Sequence, residues 1–266
     1  MVPLDMELMT DRDRFMIAFA VEQGVDFVGI SFVESAAHVD LVRDACGPSG
    51  PAIVAKIENA AGLSNMVEVI EAADAIMIDR GDLSVETRLE TVAIEQKRIL
   101  AQAIDQGKPV IVATEMLHSM IDNPSPTKAE IADITNAVLD GASATMLSGE
   151  TAAGSFPLKA VKMMRAVTNA AENYLWDSGY ITPKTSLMAS EHSIPSAMRH
   201  AISSIISETY ITKIVAITIS GYAARVVASA RPKQPVIAIT NDPRTASGEN
   251  QTGESVWIGR FPPCVC

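Results

Sequence analysis

Short runs of apolar, β-branched residues recur along the chain, each followed by a longer stretch in which apolar positions return every three or four residues. The runs at 25–32, 52–57, 75–79, 109–114 and 144–148 have strand length and turn-forming neighbours. The stretches at 36–45, 64–72, 91–106 and 127–139 have helical spacing. A strand followed by a helix and another strand predicts parallel pairing with right-handed crossovers. The pattern therefore predicts an α/β fold containing a partial (β/α)8 TIM barrel of about five βα units; a closed barrel needs eight, and only five fit before Ala170.

Beyond Pro157 the periodicity predicts a helix to about residue 174. The segment 177–190, with Gly179, Pro183 and scattered Ser and Thr, reads as a linker. A helix at 195–209, a strand at 213–219, a helix at 221–230 and a strand at 235–240 then predict a small α/β domain. The polar, glycine-bearing stretch 247–260 has no period and predicts no element. The expected organisation is a barrel part at 1–176, a linker at 177–190 and a C-terminal α/β unit of regulatory type at 191–266, divergent after about 246.

Composition narrows the partners. A net charge of −11 without a basic cluster excludes a nucleic-acid or anionic-membrane partner. The sequence has neither an apolar run of the roughly 18 residues that span a bilayer nor a basic-plus-apolar leader, so the expected location is cytoplasmic. Three cysteines, Cys46, Cys264 and Cys266, form no disulfide framework, and Cys264-Val265-Cys266 lacks the second pair of a soft-metal site.

The candidate chemistry lies at the strand ends. Alternation puts Lys56 and Glu58 on one strand face with Ile57 opposite, and the next strand runs into Arg80-Gly81-Asp82-Leu83. One cation and two carboxylates gathered there suit a Mg²⁺ site beside a phosphorylated substrate. Ser31, Glu58, Asp82, Thr114 and Ser148 all fall at the carboxyl ends of successive strands, the rim where barrels place their chemistry. Each has a plainer reading when taken alone: Lys56 and Glu58 as a strand-end salt bridge, Asp82 as a helix N-cap, Thr114 as a core hydroxyl bonded to backbone.

Four blocks in order then closely resemble the barrel motifs of the pyruvate kinase family. They are Lys56-Ile57-Glu58-Asn59, Arg80-Gly81-Asp82-Leu83, Gly107-Lys108-Pro109-Val110-Ile111 with Ala113-Thr114-Glu115-Met116-Leu117, and Asn136-Ala137-Val138-Leu139-Asp140-Gly141 followed by Met146-Leu147-Ser148-Gly149-Glu150-Thr151-Ala152. Thr218-Ile219-Ser220-Gly221 and Arg231-Pro232 extend the resemblance into the family's C-terminal domain. It implies Mg²⁺-dependent phosphoryl transfer from phosphoenolpyruvate to ADP, giving pyruvate and ATP, with K⁺ also required and a homo-oligomer, a tetramer in the family. By position, Lys56 matches the lysine that stabilises the phosphoryl group in flight, and Glu58 and Asp82 match the Mg²⁺ ligands. Gly81 and the amides around Asp82 match the element holding the substrate carboxylate. Thr114 matches a catalytic and substrate-binding threonine on the protonation side. Ser148, also substrate-binding, and Glu150 match the last strand end, and Thr218, Ser220 and Gly221 a phosphate site for an effector.

Several positions depart from the family pattern. Asp79 replaces a small apolar residue and brings an extra carboxylate towards an anionic substrate, which weakens phosphoenolpyruvate binding unless it is solvated, paired with Arg80 or recruited to the metal. Ser84 replaces a glycine, although serine can cap the short helix instead; Glu115 replaces a glutamine and Lys128 an arginine. The first three barrel strands and the lid domain, with a phosphate-contacting arginine and the K⁺ ligands, have no counterpart. Two alternatives therefore stand beside the kinase: a non-catalytic remnant that binds Mg²⁺ or a phosphorylated ligand, and a Mg²⁺-dependent lyase of 2-oxo acids.

Overall fold

A computed structural model of the chain describes residues 7–178, 194–241, 255–259 and 264–265. Most of the expected linker, from residue 179 on, lies outside them, as do Cys266 and much of the tail expected to be without structure. The chain divides into one compact unit ending at Gln96 and a second beginning at Lys97.

The first unit opens with α1 (Asp11–Glu22), which the periodicity did not predict. Its start is fixed by a capping box: Thr10 Oγ1 accepts the Asp13 amide at 3.2 Å, and Asp13 accepts the Thr10 amide at 2.8 Å. Its apolar stripe is blurred because Phe15, Met16 and Phe19 are exposed and only Ile17 is buried. The strands β1 (Phe27–Ile30), β2 (Ala52–Ile57) and β3 (Ala75–Asp79) pair in parallel in chain order. Between them run α2 (Ala36–Cys46) and the short α3 (Ala60–Ser64) and α4 (Met66–Ala72), where one longer helix was expected. Ile53, Ala55, Ile57, Ile76 and Ile78 are fully buried, as are Val39 of α2 and Val69 and Ile70 of α4, so helices cover the sheet as a parallel arrangement requires. The strand β3 passes directly into α5 (Arg80–Glu86).

The second unit takes up the repeat. The helix α6 (Val92–Asp105) precedes β4 (Val110–Ala113), α7 (Lys128–Asp140) and β5 (Ala144–Thr145). The last strand is shorter than expected, since the chain turns after Thr145 into α8 (Gly149–Ala152), ahead of α9 (Pro157–Ser178). Ile111 lies opposite Ala144 in parallel register. Gly141 ends α7 with φ of 114°, a conformation that requires glycine. With parallel pairing only among these strands, the fold is α/β, five βα units of a barrel followed by a small α/β domain.

That domain comprises α10 (Ile194–Glu208), β6 (Ile214–Ile217), α11 (Tyr222–Ser229) and β7 (Val236–Thr240), all close to expectation. An unpredicted β8 (Ser255–Gly259) adds antiparallel to β7, and β9 (Cys264–Val265) pairs with β5. Ala216, Ala224 and Ala238 form the small core with Val227. Two arginines bind helix ends within the unit: Arg231 donates to the carbonyls of Val138 and Ala142 at 2.7 Å each, and Arg199 to that of Ile104 at 3.1 Å. Among the described residues, no helix is long and apolar enough to cross a membrane.

Candidate active site

Register decides which side chains meet. Ile30 lies opposite Ala55, which makes Ser31 the neighbour of Lys56; Lys56 lies opposite Met77, which brings Glu58 alongside Asp79 two positions on. Four polar side chains thus share one face at the carboxyl ends of three strands. Lys56 Nζ stands 2.9 Å from Glu58 Oε2 and 3.3 Å from Asp79 Oδ2, and donates to Ser31 Oγ at 3.3 Å. Burial works against its charge, but Glu58 and then Asp79 outweigh it, so its pKa rises above the ordinary lysine value and the ammonium is held.

Glu58 is fully buried, and the local chain is built to hold it. Its Oε1 accepts the Phe32 amide at 2.7 Å. Phe32 adopts a left-handed conformation with φ of 52°, a strain of about 1–3 kcal/mol for a bulky residue, which aims that amide at the carboxylate. The next residue, Asn59, caps α3: its Oδ1 accepts from the Gly62 amide at 2.7 Å and its Nδ2 donates to the Val33 carbonyl at 3.3 Å. A Cβ on Gly62 would lie 2.5 Å from that same carbonyl, so the close approach needs glycine. Asn59 and Gly62 therefore position the loop that presents Glu58.

Asp82 sits in the first turn of α5, and Glu58, Asp79 and Asp82 each place a carboxylate oxygen within 4.8 Å of the others. Glu58 Oε2 is buried, and its partner is the Lys56 ammonium 2.9 Å away. Hard oxygen donors at this separation suit a divalent ion of the Mg²⁺ class, whose ligands at about 2.0–2.6 Å stand up to roughly 4–5 Å apart across it. The residues present fit such an ion.

In the second unit Thr114 and Glu115 follow β4 in left-handed conformations, φ 64° and 56°, and Thr114 Oγ1 donates to the Ala113 carbonyl at 2.7 Å. Ser148 precedes α8, and its amide donates to Glu150 Oε2 at 2.8 Å. The other oxygen of Glu150 accepts the Leu117 amide at 3.0 Å, so this buried carboxylate braces two loops. In the small domain Thr218 is buried, its amide donates to the Ile239 carbonyl at 2.9 Å, and Gly221 turns the chain into α11 with φ of 76°.

The structure thus brings Lys56, Glu58 and Asp82 together and adds Ser31 and Asp79. Asp79 was expected to weaken phosphoenolpyruvate binding unless solvated, paired with Arg80 or recruited to a metal; it is buried, and its Oδ2 lies 3.3 Å from the Lys56 ammonium because β3 lies in register with β2. Ser84 does not cap α5. Its hydroxyl donates to the Gly81 carbonyl at 2.7 Å, and Asp79 holds the N-cap position. The backbone role of Phe32 left no sequence signal, since an aromatic after a strand rarely means a left-handed turn.

The sequence matches two family descriptions, "Pyruvate kinase, barrel domain" over residues 1–161 and "Pyruvate kinase, alpha/beta domain" over residues 196–256. The second match continues some ten residues past the point, about 246, where the motifs fade. Among curated relatives, the pyruvate kinase of Dictyostelium discoideum is 40% identical over 244 residues, 90% of this chain and 48% of that protein. That of Geobacillus stearothermophilus is 40% identical over 91% of the chain and 41% of its own length. For Leishmania mexicana the identity is 40% over 96% and 52%. The chain spans about half the length of the curated relatives it matches.

Proposed function

Because the chain belongs to the pyruvate kinase family, we propose that it transfers a phosphoryl group from phosphoenolpyruvate to ADP, in the presence of Mg²⁺ and K⁺, and yields pyruvate and ATP. The observation that carries this reading is the Lys56 ammonium, 2.9 Å from a fully buried Glu58 and within a three-carboxylate cluster at the strand ends. Glu58 and Asp82 would hold Mg²⁺. The bound ion supplies a Lewis acid that polarises phosphoryl oxygens and offsets their charge. Lys56, held protonated by its carboxylate neighbours, stabilises the negative charge that spreads over the phosphoryl oxygens in flight. Gly81 lets backbone amides approach the substrate carboxylate closely. For Thr114, on the side of enolate protonation, and for Ser148, the roles rest on the matched motifs alone, as does an effector phosphate at Thr218, Ser220 and Gly221. A cytoplasmic homo-oligomer belongs to the same reading.

Asp79 favours one second reading. A third carboxylate beside Lys56 repels an anionic substrate and attracts a cation, the character of a site that binds metal without turnover. Phosphorus NMR of the purified chain with phosphoenolpyruvate, ADP, Mg²⁺ and K⁺ separates the two. The kinase reading requires the phosphoenolpyruvate resonance to decline as the γ-phosphate of ATP grows. A folded sample in which neither changes sinks it.

A further inference from the structure

Lys56 has no donor to spare. An ammonium carries three N–H groups, and three acceptors already surround this one: Glu58 Oε2 at 2.9 Å, Asp79 Oδ2 at 3.3 Å and Ser31 Oγ at 3.3 Å. A phosphoryl oxygen that is to meet Lys56 must therefore displace one of them. The three are not equally held. Glu58 is fully buried, and its other oxygen is fixed by the Phe32 amide at 2.7 Å. Ser31 is neutral, and an anion taking its place would still face both carboxylates around the ammonium. Of the two charged partners Asp79 is the one that solvent reaches, its side chain 11% exposed against none for Glu58.

We propose that Asp79 is an internal counter-ion that competes with the phosphoryl group for the Lys56 ammonium, so that this residue sets the affinity for the phosphorylated substrate and leaves the chemical step alone. The inference rests on the proposed reading of Lys56 as the group that meets the phosphoryl oxygens. The Asp79 carboxylate stands at the ammonium where an incoming oxyanion would stand. When substrate binds, that carboxylate gives up its contact and stays close to a second negative charge, a cost that falls on binding before transfer begins. Once the exchange is made, substrate and transition state bear the same cost, which raises KM without lowering kcat.

The test is calorimetric titration of phosphoenolpyruvate, with Mg²⁺ and K⁺ but without ADP, into the full chain. Wild type, Asp79→Ala and Asp79→Asn are compared, each with its fold checked by circular dichroism. Both variants are expected to bind at least about tenfold more tightly than wild type. With ADP added, KM is expected to fall by a similar factor, the change being carried by KM and not by kcat. A merely structural role for Asp79 predicts the opposite, since a loosened site binds more weakly. In a Lys56→Met background Asp79→Ala is expected to bring no such gain, because the competition is for the ammonium. Unchanged or weaker binding by the folded Asp79 variants, with wild type binding, overturns the inference and leaves the reading of Lys56 standing. An equal gain in the Lys56→Met background also overturns it, as general charge repulsion would then suffice. No binding by folded wild type and folded Asp79→Ala alike overturns the inference together with the reading of Lys56.

Discussion

Glu150 is 2% exposed and accepts the amides of Leu117 and Ser148, one with each oxygen. Its removal orphans the buried Leu117 N–H and the half-buried Ser148 N–H at once, a penalty of about 1–3 kcal/mol for the first and less for the second. Glu150→Ala is therefore expected to lower unfolding free energy by about 2–4 kcal/mol, read from the urea midpoint at constant slope. A change below about 0.5 kcal/mol would mean that water replaces the carboxylate. Nothing around Glu150 in the sequence announces this role, since Leu117 is 33 residues away. Lys56 and Glu58, two apart on one strand, were by contrast legible through alternation alone. Asp79 falls between these cases. Its departure from the family pattern was visible, but its pairing with Lys56 depends on the register between β2 and β3, which single-strand periodicity does not encode.

Among elements, α7 begins with a capping box that also recruits a neighbouring turn. Glu130 Oε2 accepts the Thr127 amide at 2.7 Å and the Ser119 hydroxyl at 2.6 Å, while Oε1 accepts the Ser119 amide at 2.7 Å. Burial pushes the carboxyl pKa up, but the bonds from Ser119 and Thr127 together overcome it and hold the pKa below the ordinary 4.5. A depressed carboxylate pKa contributes stability that is fully present above 4.5 and is lost as pH falls through the lower folded value. Glu130→Gln is accordingly expected to flatten the loss of stability between neutral pH and pH 3, measured by urea unfolding across that range. A variant as acid-sensitive as wild type would contradict the assignment. The helix itself was readable from its spacing, and so were β2 and β3, whose observed bounds match expectation residue for residue. The elements that went unread share a cause. In α1 the large apolar residues face outwards, and β8 is a strand only through its pairing with β7.

For the whole molecule, the second unit holds its C-terminal α/β part through Arg231, whose guanidinium binds the last carbonyls of α7 and the loop beyond it. A cation at a helix C-terminus is favourable on both hydrogen-bond and dipole grounds. Arg231→Leu strands both carbonyls and should cost roughly 2–4 kcal/mol, seen as a lower urea midpoint; an unchanged midpoint would show the contact to be incidental. The α/β class and the order of elements were legible because the repeat is local. Long-range pairings such as Arg231 with Val138 were not, because they arise only once the chain is folded. The central claim is that the cluster around Lys56 performs phosphoryl transfer, and a lactate-dehydrogenase-coupled assay with phosphoenolpyruvate, ADP, Mg²⁺ and K⁺ tests it most directly when wild type and Lys56→Met are run together. Turnover is expected in wild type and is expected to fall by at least about 10³-fold in Lys56→Met. No turnover from folded wild type, or turnover that survives the loss of the ammonium, would contradict the account.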